Sequence, residues 1–257
     1  MSKISTDILL DLQALGKVFA SGTHALADVN LQIPRGQFVS IVGPSGCGKS
    51  TLIRLIAGLD RYTAGTLNVD GQDPIKARKR SNDLAYVFQD PTLLPWRNVF
   101  KNVTLPLELR GQIIDDRRIQ AILETVGLSD FLTALPSQLS GGMRMRVSIA
   151  RALATNPGLL LLDEPFGALD EITRQRLNEE LLKLWERDHW TGIFITHNVY
   201  EAAFLADRVL VMSARPGRII ADLDMPFSHP RDKDLRHDSA FVDIAHQISN
   251  QLEQAHQ

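Results

Sequence analysis

Short apolar runs alternate with stretches of helical spacing along most of the chain. Between Ile8 and Phe38 the apolar residues come in brief segments separated by turn chemistry at Ser21-Gly22 and Pro34-Arg35-Gly36, which predicts short strands in an antiparallel β layer. Gln37 to Val42 predicts an apolar strand, followed by a Gly-rich loop and a helix over Lys49 to Leu59. Strand, loop and helix in that order make a phosphate-binding α/β unit and imply a parallel core sheet. Thr66 to Val69 and Leu84 to Val87 predict further strands, whereas Val99 to Leu153 is helical in pattern, with breaks at Gly111, Gly127 and Pro136. The sheet resumes at Leu159 to Leu162. A helix with Leu177, Leu181, Leu184 and Trp185 at helical spacing then leads to a strand at Gly192 to Ile195. After Arg208 to Met212, the Arg215-Pro216-Gly217 turn precedes another strand, and polar Ser228 to Asp238 leads to a last amphipathic helix near Phe241 to Leu252. The alternation is α/β with a helical insertion.

Composition narrows the classes. With 257 residues, 44% of them hydrophobic, the chain can bury a core of its own as one large domain or two tightly joined units. A net charge of -2 gives no basic face, so nucleic acid is not an expected partner. The single cysteine, Cys47, excludes an intrachain disulfide framework and Cys-rich zinc sites, and suits a reducing cytoplasm. The first residues lack a secretory pattern, and no apolar stretch approaches the roughly 18 residues that span a bilayer, so membrane contact is expected through a partner. The basic run Lys76, Arg78, Lys79 and Arg80 reads as a solvated loop between two strands.

Three motifs carry chemistry. Gly43-Pro44-Ser45-Gly46-Cys47-Gly48-Lys49-Ser50 fits G-x-x-x-x-G-K-[ST] between a predicted strand and helix, the context that pattern requires. Its glycines let backbone N–H groups and the helix N-terminus surround phosphates, with Lys49 neutralising charge and Ser50 offering a hydroxyl to Mg²⁺. These eight residues and the adjoining Thr51 are candidate nucleotide-binding residues. Cys47 reads as a small loop residue, although its place beside that N-terminus could lower its pKa and make it a reactive thiol, whose alkylation would then block nucleotide binding. Leu159 to Leu162 ends in Asp163-Glu164, two carboxylates at a strand end, which gives Asp163 a water-mediated hold on Mg²⁺ and puts Glu164 near an attacking water. Solvated acids capping a strand are the plain alternative. Ser140-Gly141-Gly142, at a helix start, could form a second phosphate cradle or a simple N-cap.

Leu139-Ser140-Gly141-Gly142-Met143 resembles the signature of ABC (ATP-binding cassette) proteins, and the resemblance covers nearly the whole chain, with motifs in the family's order. It implies a P-loop NTPase (RecA-like) core with an N-terminal antiparallel β layer and a helical insertion, the ABC ATPase fold. In that reading 8–89 and 155–223 form the β layer and core, 90–154 the helical part with the signature, and 224–257 a tail and helix. The resemblance places Phe19 against adenine and makes Gln89 the Q-loop residue that helps hold Mg²⁺ and water. It makes Ala168-Leu169-Asp170 the D-loop and His197 the switch residue near the γ-phosphate. Lys49, Gln89, Glu164 and His197 are thus the catalytic candidates, Ser50, Gln89 and Asp163 the metal candidates, and ATP with Mg²⁺ the expected ligands. Met143 and Asn198 depart from the family's commonest spelling, which has glutamine and aspartate there; neither change removes a phosphate-contacting group.

Asp90 to Val99, Pro165 to Asp170 and Ala214 to Ile219 look like the importer branch serving nitrate, taurine and alkanesulfonates. The implied partners are transmembrane permease subunits, a second copy of the chain or another ATPase subunit, and indirectly an external solute-binding protein, at the cytoplasmic face of the cell's inner membrane. Leu93, Leu94 and Trp96 either form a groove for a permease helix or pack inward. An exporter subunit shares all the hydrolytic motifs. A soluble ABC regulator would resemble tandem cassettes, and a P-loop kinase would need no signature.

Overall fold

The computed structural model describes residues 7–80, 84–167 and 169–255, so Ala168 of the predicted D-loop lies outside the described residues. The chain opens with β1 (Ile8–Val18) and β2 (His24–Pro34), then β3 (Phe38–Val42) and α1 (Lys49–Ile56). Next come β4 (Ala64–Val69), α2 (Pro74–Arg80), β5 (Leu84–Val87), α3 (Val99–Leu109), α4 (Asp116–Thr125) and α5 (Gly141–Leu153). β6 (Leu159–Asp163), α6 (Glu171–Asp188), β7 (Thr191–Ile195), α7 (Val199–Leu205), β8 (Arg208–Met212), β9 (Ile219–Asp224) and α8 (Ser239–Gln254) follow.

Among the described residues the strands form two sheets, an antiparallel one ordered β2-β1-β4 and a larger one ordered β5-β6-β7-β3-β8-β9. The larger sheet is parallel except for β9, which runs antiparallel to β8 at its edge. β3, β6 and β7 are buried along their whole length, as strands covered on both faces must be. Their side chains alternate between two cores. Phe38, Val42, Leu160, Leu162 and Phe194 face the helical side with Trp185 and Trp190, while Val39, Ile41, Leu159, Leu161, Ile193 and Ile195 face α1 and the antiparallel sheet. Each such fully buried side chain stabilises the fold by about 1.5–3 kcal/mol.

Two expectations change. The N-terminal strands are not short: β1 and β2 span 11 residues each and absorb irregularities as bulges, with Ala14 and Asp28 at positive φ. The basic segment is not a loop but α2. Ile75 N donates to Asp73 Oδ1 at 3.0 Å, Pro74 opens the helix where a missing N–H costs nothing, and Ala77 is buried.

The C-terminal tail is anchored. Arg231, buried and held by that burial at about 10, donates from Nη1 to the carbonyls of Ala203, Phe204 and Ala206 at the end of α7, and from Nε and Nη2 to Phe227 O. The Ala203, Phe204 and Ala206 carbonyls are of the kind a helix end leaves unpaired.

Candidate active site

Four parallel strands end together. β3 runs into the loop 43–50, β5 towards Gln89, β6 into Asp163 and Glu164, and β7 into Thr196 and His197. Such carboxyl ends are where open α/β sheets bind ligands. Here they border a cleft of about 280 Å³ lined by Phe19, Ser45, Gly46, Gly48, Lys49, Ser50, Thr51, Gln89 and Glu164, together with Ala25 and Arg215.

Glycine is required at the loop's tightest point. Gly48 has φ of 111°, and a Cβ there would lie 2.8 Å from the Ala25 carbonyl oxygen and from Leu26. Gly48 also caps α1, whose first N–H groups are free for a ligand at that end. Lys49 is buried, and its ammonium donates to the carbonyls of Gly43 at 2.8 Å and Pro44 at 2.9 Å, which fixes it across the loop. Phe19 projects from the turn between β1 and β2, half-exposed, with Lys17 Nζ 5.0 Å from its ring centre.

Asp163 accepts from Ser50 Oγ at 2.8 Å on Oδ1 and from Tyr86 Oη at 3.0 Å on Oδ2. Burial, then the Asp163 charge, raises the Tyr86 phenol well above its ordinary value, so it remains a donor. In a regular strand Glu164 would point away from Asp163. It instead adopts φ of 46°, its N–H donating to Ile195 O at 3.0 Å, and the chain turns so that Glu164 lines the cleft. Its Oε2 lies 3.4 Å from His197 Nδ1. A left-handed glutamate costs about 1–3 kcal/mol and persists only where neighbours enforce it, which is common at functional sites.

Ser50 and Gln89 line the cleft and Asp163 accepts from the Ser50 hydroxyl, so the predicted metal candidates offer a hydroxyl, an amide oxygen and a carboxylate. Among the described residues no group of three or more His, Cys, Asp or Glu side chains is placed to hold a metal. One carboxylate and a hydroxyl, with remaining positions left to water and substrate phosphate, suit Mg²⁺.

The signature residues lie elsewhere in the chain's own surface. Ser140 caps α5 by accepting from Met143 N at 3.2 Å, and a Cβ on Gly142 would meet Leu169 Cδ2 at 3.1 Å. None of Ser140, Gly141 and Gly142 lines the cleft of the same chain. Met143 packs partly against the core, and Asn198 caps α7 by accepting from Glu201 N at 3.1 Å. Of the two readings of Cys47, its burial favours the small loop residue: the side chain is 1% exposed, enclosed under the loop where an alkylating reagent has little access.

Sequence reasoning missed Arg215 and Tyr86. Arg215 Nη2 and Nε donate to Gly46 O at 2.8 and 3.2 Å, bracing the loop from a turn 169 residues away in sequence. A larger cavity, about 500 Å³, lies between α6, α7 and the tail and contains none of the predicted site residues, so size alone does not locate the chemistry.

A shallow groove of about 320 Å³ runs between β5, α3 and α5, lined by Tyr86, Thr92, Leu105, Pro106, Leu109 and Arg151 among others. The predicted Leu93, Leu94 and Trp96 groove divides: Leu93 packs against the core, Leu94 is half-buried, and Trp96 stands 73% exposed. Leu109 is 79% exposed at the groove. Arg151 ties α5 to the segment after Gln89 through Pro91 O at 2.9 Å and Thr92 O at 3.0 Å.

Residues 26–167 match the family described as ABC transporter. The aliphatic sulfonates import ATP-binding protein SsuB 1 of Pseudomonas savastanoi pv. phaseolicola is 43% identical over 249 residues, 96% of this chain and 98% of that protein. The taurine import ATP-binding protein TauB of Rhizobium johnstonii is 48% identical over 206 residues, covering 79% and 78%. A solved dimeric ATP-binding cassette, in a post-hydrolysis state bound to ADP and phosphate, superposes with a TM-score of 0.75 at 35% identity, covering 85% of this chain and 100% of that one.

Proposed function

The chain belongs to the ABC transporter family, and on that premise we propose that it is the ATP-hydrolysing subunit of a membrane importer for a small anion such as an organic sulfonate, taurine or nitrate. The observation that carries this is the meeting of Lys49, Ser50, Asp163, Glu164 and His197 at the carboxyl ends of β3, β6 and β7, in a chain that aligns nearly end to end with a sulfonate-import ATP-binding protein.

Two copies sandwich two ATP molecules, each between one copy's loop 43–50 and the other's Ser140-Gly141-Gly142. The separation of signature and cleft within one chain supports this arrangement. Phe19 stacks on adenine and the loop's N–H groups receive the phosphates. Lys49 gives up its Gly43 and Pro44 carbonyls for phosphate oxygens. Ser50, Gln89 and, through water, Asp163 are the residues that would hold Mg²⁺, which would neutralise charge on the phosphate oxygens. Glu164 takes the proton of the attacking water, and His197, beside it, donates to the γ-phosphate as charge develops. Ser140 of the second copy adds a further donor.

Among the described residues no helix is long and apolar enough to cross a membrane; in this reading permease subunits carry the solute path. We place their contact at the Leu109 groove, where Arg151 links the bound segment to the signature helix α5. Purified protein given ATP and magnesium should release free phosphate, and EDTA should stop it. Phosphate transferred instead to an added small acceptor would move the chain to the kinases.

A further inference from the structure

The larger cavity borders a buried carboxyl that none of the predicted motifs includes. Glu201, on the first turn of α7, is 5% exposed. Its Oε2 accepts a short hydrogen bond from Thr196 Oγ, which in turn accepts from Asn198 N at 3.0 Å. Asn198 Oδ1 accepts from Glu201 N at 3.1 Å. Thr196 and Asn198 flank His197, so these bonds close a ring around the backbone that carries the histidine. The opposite oxygen, Oε1, is buried without a partner, and so is Oδ1 of Asn178 on α6, 3% exposed and lining the same cavity. Burial pushes the Glu201 carboxyl up to about 7, against the pull of Thr196, Arg174 and Asn178.

α6 begins directly after Asp170, and its Arg174 donates to Leu169 O at 2.8 Å. The Glu201 cluster therefore sits between the helix that follows the D-loop segment and the turn bearing His197.

We propose that Glu201 is a positioning residue for hydrolysis, holding the Thr196–His197–Asn198 turn so that the imidazole stays against Glu164 and in register with α6. The role rests on the ATPase reading above. It predicts an effect on turnover rather than on nucleotide binding, because no atom of Glu201 lines the nucleotide cleft.

The test compares Glu201→Ala, Glu201→Gln and Thr196→Val in the full-length chain. Glu201→Ala should lower kcat about 10- to 100-fold, the range expected of misplacement without loss of a reacting group, with KM and ADP affinity within about threefold of wild type. Glu201→Gln, which keeps an acceptor for Thr196 and the shape of the side chain, should recover most of that loss. Thr196→Val should lower kcat as Glu201→Ala does, and it decides the matter should the alanine variant not fold. The His197 ring Cε1–H resonance should shift in Glu201→Ala and return in Glu201→Gln. Wild-type turnover per folded molecule in both Glu201→Ala and Thr196→Val, equal damage by Gln and Ala, or ADP affinity falling in step with kcat would each overturn the proposal. An inactive wild-type protein would defeat the ATPase reading alone, since the ring resonance still reports whether Glu201 positions His197.

Discussion

Glu164→Gln is expected to lower ATP turnover by about 10²- to 10⁴-fold, the usual contribution of a positioned general base, while ATP still binds. The carboxylate is held in the cleft by backbone: a left-handed φ of 46° and the N–H bond to Ile195 O. Glutamine meets the same backbone demand and keeps the side chain's shape, so the loop, Lys49 and the Asp163–Ser50 pair stay in place. What disappears is the proton acceptor beside His197. With hydrolysis blocked, the two-copy sandwich should persist, and size-exclusion chromatography should find an ATP-dependent dimer in the variant where the wild type returns to monomer. Single-turnover phosphate release near the wild-type rate would remove Glu164 from the base role.

Lys49→Ala should act at the earlier step. Its ammonium is the cation fixed within the phosphate loop by two carbonyl bonds, and charge-assisted bonds contribute about 1.5–3 kcal/mol each. Loss of one such bond to phosphate weakens ATP affinity by about 10- to 100-fold. Isothermal titration with ATP measures it, and turnover should become undetectable at nucleotide concentrations that saturate the wild type. The two variants thus separate binding from chemistry.

What the sequence made legible was contiguous chemistry. The loop 43–50, Asp163-Glu164 and Ser140-Gly141-Gly142 each pack their function into adjacent residues beside a strand or helix start, so pattern and context suffice. The buried strands were legible for the same reason: Leu159 to Leu162 can be little else. Groups that act from a distance were not. Arg215 reaches the loop at Gly46 and Tyr86 reaches Asp163 only because of the sheet order and the turns between, and neither residue type at its position signals a partner. Glu201 reads in sequence as an ordinary acid on a helix; its burial against Asn178 follows from how α7 packs on α6. Cys47 marks another limit: beside a helix N-terminus the sequence allows a small loop residue or a reactive thiol, and only the burial, with a Cβ on Gly43 falling 3.0 Å from its Sγ, favours the first. The helix α2 starts at Asp73-Pro74, a signal that the basic run following it hides in the sequence.

Capture of tagged Glu164→Gln protein with ATP from detergent-solubilised native membranes tests the central claim most directly, with mass spectrometry of what co-purifies. A multi-spanning permease should be recovered, together with a solute-binding protein that takes up an organic sulfonate, taurine or nitrate, and adding Leu109→Glu should abolish the recovery without changing ATP affinity. Recovery of ribosomal or DNA-bound proteins and no permease, from a preparation that retains other membrane complexes, would contradict it.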